Sequence, residues 1–220
     1  MRRLAILARW PTSGTVKSRL SPALPPQLAC DLYRAMLEDT LAASAGSRAE
    51  ERFVYWADAP QDRGAVRLPP GITARDQAGS DLGVRLAHVF SDLLGAPFDR
   101  AVAIGVDCPE LEPGIIREAY EALQACDVVL GPVSDGGYYL LALRRASPEL
   151  FEGVDWGTPR VLEQTLERAR RAGLESALLG GLSDLDTPDD LVRYIAGRAM
   201  AAGSASRRTD AALRAIGLLP

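Results

Sequence analysis

The run Ala101-Val102-Ala103-Ile104-Gly105-Val106 is small and β-branched throughout, with no polar alternation. That is the pattern of a strand covered on both faces. A strand of this kind needs helices on both sides of its sheet, which restricts the chain to an α/β layer architecture. The run ends in a carboxylate, Asp107, followed by Cys108 and Pro109. Ligands of open α/β sheets collect beyond the carboxyl ends of the strands, so an acid there stands where chemistry is done. Its other reading is a turn former or helix cap. Gly105 leaves room for close approach by a ligand or a neighbouring backbone.

Composition narrows the classes. The chain has 220 residues, 47% of them apolar and 25% charged, with a net charge of −4. These are the proportions of a globular protein, and the negative balance argues against sequence-independent nucleic-acid binding. Cys30, Cys108 and Cys126 are odd in number and far apart, so neither a disulfide framework nor a zinc site is expected. Arg2 and Arg3 precede an apolar run that Arg9 interrupts, too short for a signal segment, and no stretch reaches the length of a membrane span. The expectation is a cytoplasmic protein with one domain over residues 1–200. From Ala201 to Pro220, Gly, Ser and Ala suggest a loosely held tail. No feature reports on oligomeric state.

Leu4 to Ala8 is a second buried-type run, and it feeds the loop RWPTSGTVKSRL, Arg9 to Leu20. Pro11, Ser13 and Gly14 exclude regular structure there. Arg9, Lys17 and Arg19, together with Gly14, suit a phosphate cradle of backbone N–H groups and a lysine charge. The Walker A spacing is absent, and a basic surface loop is the plain alternative. Helical spacing follows over 27–43 and 81–94, with short strands at 52–56 and 72–75. The sole histidine, His88, falls among core positions of the second helix and takes no site role. Ahead of that helix, in QAGSDLGVR, Asp81 serves as a cap or faces a ligand, and Gly83 admits close approach at a cost of up to about 1 kcal/mol. Arg85 adds a further charge there.

Beyond the central strand, a helix over 113–125 leads to a strand at 127–133 and then to SDGGYYLLAL. Asp135 leaves that strand end. Gly136 and Gly137 suit either a tight hairpin or a flat floor for a nucleoside or sugar. Tyr138 begins a strand expected to run antiparallel to its predecessor, because the connection is too short for a helical crossover. Asp155 and Trp156 either line an acceptor pocket or staple their loop. Thr158 and Pro159 are expected to start a helix that Gly173 ends, and Ser176–Leu179 is a last strand. In SDLDTPDDL, Asp184 and Asp186 point the same way if extended, and Thr187 with Asp190 reads as a capping box. Carboxylates after several strand ends suit a partly hydrated Mg²⁺ or Mn²⁺ completed by substrate phosphates, with Asp107, Asp184 and Asp186 as its ligands. Asp107 and Asp135 are the candidates for catalysis.

The blocks RWPTSGTVKSRL, QAGSDLGVRL, IGVDCPEL, GPVSDGGYYLLAL, VDWGTPRVLEQT and DLDTPDDL, in that order, resemble a bacterial family labelled a domain of unknown function, DUF2064. The family is also called glycosyltransferase A-type and lies within the nucleotide-diphospho-sugar transferase superfamily. The resemblance spans roughly residues 3–195. The chain has Lys17-Ser18-Arg19-Leu20 where the family has lysine-threonine-arginine-leucine, and Trp156-Gly157-Thr158 where it commonly has tryptophan-serine-threonine. The resemblance implies a Rossmann-like GT-A fold, with a mostly parallel central sheet, the first loop under nucleotide phosphates and Asp107 as the metal-binding acid. The expectation is a metal-dependent glycosyltransferase moving a sugar from a nucleotide-diphosphate-sugar donor to a small-molecule acceptor. The superfamily also holds molybdopterin and phospholactate guanylyltransferases, so transfer of a nucleotidyl group from an NTP to a phosphorylated acceptor is the alternative. A non-catalytic nucleotide-binding protein is the third.

Overall fold

In the computed structural model, which describes residues 1–64, 66–200 and 207–220, the two unbroken apolar runs become neighbouring strands. These are β1 (Arg2–Arg9) and β4 (Arg100–Ile104). The others are β2 (Glu51–Ala57), β3 (Ile72–Asp76), β5 (Val128–Pro132), β6 (Tyr138–Leu143) and β7 (Ser176–Leu178). The described residues form one sheet in the order β3-β2-β1-β4-β6-β5-β7. Only β6 among them runs antiparallel to its neighbours.

The lack of alternation has a direct cause. Leu4, Ile6 and Ala8 face one layer, formed with α1 (Pro26–Ala45), α3 (Pro113–Ala122), α5 (Pro188–Met200) and α6 (Arg208–Ala215). Ala5 and Leu7 face the other, formed with α2 (Leu82–Leu93) and α4 (Val161–Arg171). Alternate residues of β1 are therefore apolar on both sides, as a doubly covered strand requires. The fold is α/β, as expected from the alternation of strands and helices. His88 lies on the exposed side of α2 rather than among core positions.

The reversed strand positions the acids. β6 sits between β4 and β5, with Ala103 opposite Leu141 and Leu130 opposite Leu141 on the other side. Its connection from β5 therefore turns at the same sheet edge where β4 ends, which brings Asp135 toward Asp107. Past β7 the chain crosses this edge again. Leu182 bridges Val133, and the Leu185 N–H donates to the Asp107 carbonyl at 2.8 Å.

Local chemistry explains the termini of the elements. Asp81 caps α2 by accepting from the Val84 N–H at 3.0 Å. Asp190 Oδ2 accepts from the Thr187 N–H at 2.7 Å, and Thr187 Oγ1 accepts from the Asp190 N–H at 3.3 Å, completing the expected capping box. The start of α4 differs from its expectation. Arg160, not Thr158, is the N-cap, and Thr158 Oγ1 donates to the Asp155 carbonyl at 2.8 Å. The reason is tertiary: Pro159 packs against Gly136, and the Leu162 N–H donates to the Gly136 carbonyl at 2.9 Å.

The expected loose tail over 201–220 also needs correction where it is described. Residues 201–206 lie outside the described residues, but α6 docks through its buried Thr209, Asp210 and Leu213. Asp210 is fully buried, hydrogen-bonded by Tyr194 Oη at 2.7 Å and ion-paired with Arg198 of α5. Asp39 of α1 accepts from the Arg208 and Thr209 N–H groups, each at 2.9 Å. Burial pushes the Asp210 carboxyl upward, but the hydrogen bonds from Arg198 and Tyr194 outweigh it and hold the group below the usual carboxylate value. Its stabilisation is thus full above the ordinary carboxylate pKa of about 4 and is lost as the pH falls below it. Asp210→Ala removes a buried carboxylate bonded by Tyr194 and Arg198, so it is expected to lose about 3 kcal/mol in urea unfolding at pH 7. The gap from wild type should narrow as the pH drops below about 4; an unchanged midpoint at pH 7 would contradict the docking of α6.

Candidate active site

The loop after β1 folds because its apolar residues are anchored while its cation is not free to leave. Val16 and Leu20 are buried on either side of Lys17. Successive turns, from Thr15 N–H to Thr12 carbonyl and Leu20 N–H to Lys17 carbonyl, coil the loop. Lys17 itself adopts φ 51° and ψ 33°, a left-handed conformation uncommon outside glycine. Such an outlier persists only where the surroundings hold it.

Those surroundings are two carboxylates from distant segments. Lys17 Nζ lies 2.5 Å from Asp107 Oδ1 and 3.4 Å from Asp186 Oδ1, and Arg19 Nη1 lies 2.9 Å from Asp186 Oδ2. The Lys17 side chain is 2% exposed, whereas that of Asp107 is 57% exposed. Burial alone would push the lysine pKa down; attraction to Asp107 and Asp186 more than reverses this, and the net shift is upward. The ammonium stays charged at the floor of the site.

Two cavities meet at this cluster. The first, ≈540 Å³, lies over the ends of β1, β2 and β3 and is lined by Arg9, Lys17, Arg19, Gln77 and Arg85. Asp81 is also on its wall, held below the usual carboxylate range by the Val84 N–H. The second, ≈480 Å³, is lined by Asp135, Gly137, Tyr138, Trp156 and Asp184. Arg19, Leu82, Asp107 and Asp186 line both. Asp135 Oδ1 accepts from the Gly137 N–H at 2.8 Å. Burial, then the charges of Asp135 and Asp190, push the Asp184 carboxyl above its ordinary value, with Asp107 adding to the effect.

Several expected site residues stand elsewhere. Gly14, at φ 82°, has open space around it and is on neither cavity wall. Gly83 meets protein, not ligand: a Cβ there would fall 2.6 Å from the Trp156 indole nitrogen. Gly136, at φ 88°, is a turn residue whose Cβ would fall 2.1 Å from the Pro159 carbonyl oxygen, so it forms no floor. The Tyr138 hydroxyl is buried without a hydrogen-bond partner among the described residues, so only the rest of that side chain serves the cavity. Gln77, Tyr33, Ser80 and Thr158 line the cavities but were not expected as site residues. Gln77 had a usable signal, since it directly follows β3 at a strand's carboxyl end.

The three-carboxylate metal set also changes. Among the described residues no group of three or more acidic, cysteine or histidine side chains is arranged to hold an ion. Lys17 stands between Asp107 and Asp186 and pairs with both, and Asp186 is paired with Arg19 as well. Asp107, still 57% exposed beside Lys17, and Asp184, raised by burial and then by the charges of Asp135 and Asp190, share one cavity wall. That donor set fits Mg²⁺ or Mn²⁺ taking one or two carboxylates together with phosphate oxygens and water.

Comparison with known proteins is consistent with this geometry. A family model described as "Uncharacterized protein conserved in bacteria (DUF2064)" matches residues 40–158. The chain is 30% identical to a Desulfovibrio desulfuricans G20 protein named provisionally as a nucleotide-diphospho-sugar transferase. Their structures align with a TM-score of 0.89 over 97% of this chain and 94% of that one. A 2-phospho-L-lactate guanylyltransferase of Methanothermobacter thermautotrophicus is 28% identical over 180 residues, 81% of this chain and 78% of its own. A Thermus thermophilus 2-C-methyl-D-erythritol 4-phosphate cytidylyltransferase shares the fold, at 16% identity and a TM-score of 0.53 over 91% of this chain and 100% of that one. The architecture is that of the nucleotide-diphospho-sugar transferases.

Because Gly83 makes room for Trp156, Gly83→Ala is expected to lower stability by about 1–3 kcal/mol. Trp156→Phe should recover part of the loss in the double variant. Additive losses in thermal unfolding would show that the two residues are not coupled.

Proposed function

The chain belongs to the bacterial DUF2064 family, and on that footing we propose that it transfers a sugar from a nucleotide-diphosphate-sugar donor to an acceptor hydroxyl. The observation that carries this reading is the meeting of two unlike cavities at Asp107. Arg9, Lys17, Arg19 and Arg85 on the first wall suit the diphosphate of the donor. Asp135, Asp184, Tyr138 and Trp156 on the second suit hydroxyl groups and the apolar faces of a sugar or polyol. The reacting carbon would then lie near the shared wall of Arg19, Asp107 and Asp186.

The chemistry assigned to the residues follows. Lys17 and Arg19 stabilise negative charge that develops on the departing diphosphate. Asp107 and Asp184 would hold the Mg²⁺ or Mn²⁺, which when bound supplies further charge to the phosphate oxygens. Asp135, exposed and with one oxygen engaged by the Gly137 N–H, is placed to orient the acceptor.

A second reading is supported by the 28% identity to the guanylyltransferase. The same first cavity would then take an NTP, the acceptor would attack the α-phosphorus, and pyrophosphate would leave. Against a phosphorylated acceptor stands the second cavity: Lys17 and Arg19 pair with Asp107 and Asp186, which leaves Asp135 and Asp184 on its wall without an ion pair among the described residues.

The readings separate by product. Incubated with Mg²⁺, a panel of nucleotide sugars and NTPs, and polyol acceptors, the protein is expected to release nucleoside diphosphate from one nucleotide sugar. Release of pyrophosphate from an NTP would instead establish the second reading. Lys17→Met is expected to weaken nucleoside diphosphate binding by about tenfold or more while leaving the free nucleoside's affinity nearly unchanged. Equal weakening of both would remove the phosphate assignment of Lys17.

A further inference from the structure

We propose that a third cavity, an apolar recess beside Asp107, takes a short alkyl group of the substrate. The inference rests on the reading of the first two cavities as donor and acceptor sites. It adds to them a class of substituent: a methyl or similarly small branch on the group held where they meet.

The recess, ≈210 Å³, is walled by Leu82 and Leu86 of α2, Leu7 of β1, Ala103 of β4, Gly105 just past β4 and Leu141 of β6. Its cause lies in the central run. Val102, Ile104 and Val106 turn their side chains to the layer of α1 and α3, and Ala101 and Ala103 face α2. Alternation puts Gly105 on the α2 side as well, where it contributes no side chain. A Cβ at Gly105 would meet nothing nearer than the Asp107 backbone nitrogen at 4.0 Å. Gly105 is also absent from the glycines at positive φ, so no strained turn calls for glycine there. What the glycine provides is space.

That space favours an apolar occupant. Protein interiors leave few voids larger than a water molecule, and a trapped water needs two to four polar partners. Among the described residues, the side-chain polar atoms of the lining belong to Asp107, Tyr138 and Tyr139. The Tyr139 hydroxyl donates to the Gly180 carbonyl at 2.9 Å, and the Tyr138 hydroxyl is buried. The exposed polar group is therefore the Asp107 carboxylate, too little to hold water well. Displacing poorly held water by an apolar group gains affinity.

Position ties the recess to the substrate. Leu82 and Asp107 line all three cavities, Leu7 is shared with the first, and Gly105 and Tyr138 are shared with the second. Leu82 remains 44% exposed, an aliphatic wall that the rest of the chain does not cover. A substrate spanning the first two cavities passes over the recess with its transferred sugar or its acceptor. Either one can carry the alkyl group, and the test separates them.

The donor arm is calorimetric titration of the full chain, with Mg²⁺, against three pairs: UDP-glucose and UDP-N-acetylglucosamine, GDP-mannose and GDP-fucose, dTDP-glucose and dTDP-rhamnose. UDP, GDP and dTDP serve as references. If the sugar carries the group, one methyl-bearing donor binds about fourfold or more tighter than its partner, the value of one buried methyl. The acceptor arm compares glycerol with 1-O-methylglycerol as acceptors; if the acceptor carries the group, the methylated one shows a KM about fourfold or more lower. Gly105→Val fills the recess, so it should abolish the preference found while changing the affinity for the bare diphosphate by less than about twofold. Gly105→Ala, whose Cβ has room, should reduce the preference and serves if the valine variant does not fold. Absence of any alkyl preference in both arms, a preference kept in these variants, or equal weakening of the bare diphosphate would each overturn the assignment. Diphosphate binding without such a preference leaves the nucleotide reading standing. No binding of any diphosphate or nucleotide sugar overturns both.

Discussion

A buried ammonium between two carboxylates organises this molecule. Lys17 comes from the loop after β1, Asp107 from the end of β4 and Asp186 from the segment entering α5, so one cation joins three separate parts of the chain. Taking it out of water opposes its charge, and the two acids outweigh that opposition. Such a cluster gives little net stability compared with well-packed apolar groups, but losing one partner strands the others. Its function lies in what it leaves exposed. Asp107 is open to solvent while Lys17, largely buried, still lines the first cavity, so the cluster presents anchored, polarised groups at a cavity wall.

The sheet supplies the other constraint. Parallel strands β1, β2, β3 and β4 deliver their carboxyl ends to one edge, and the reversed β6 brings the β5–β6 turn to the same edge. The cavities differ because different segments wall them. Basic residues reach the first from the β1 loop and α2, whereas acids reach the second from the β5–β6 turn and the crossing at 184–186. Asp190 stiffens that crossing by accepting from the Asp186 N–H at 3.1 Å as well as from Thr187.

Features set by local rules were legible in the sequence. The run ending at Asp107, the basic loop, the Asp81 cap and the Thr187–Asp190 box depend on neighbours within a few residues. What was hidden depends on partners far along the chain. Gly83 looked available to a ligand because nothing local shows Trp156 above it. The spacing of Asp184 and Asp186 suggested paired metal ligands, but it does not reveal that Lys17 pairs with Asp186 while Asp184 is left facing Asp135. Small residues around 201 suggested a loose end, whereas the burial of Asp210 follows from Arg198 and Tyr194 on another helix. A short β5–β6 connection implied reversal, but not that β6 would insert beside β4.

The most direct measurement is a crystal structure of the protein with a nucleoside diphosphate and Mn²⁺. The account predicts phosphate oxygens in the first cavity about 2.8 Å from Lys17 Nζ, and an anomalous manganese peak between those oxygens and the Asp107 carboxylate. A nucleotide bound outside that cavity, or phosphates seated away from Lys17, would contradict it.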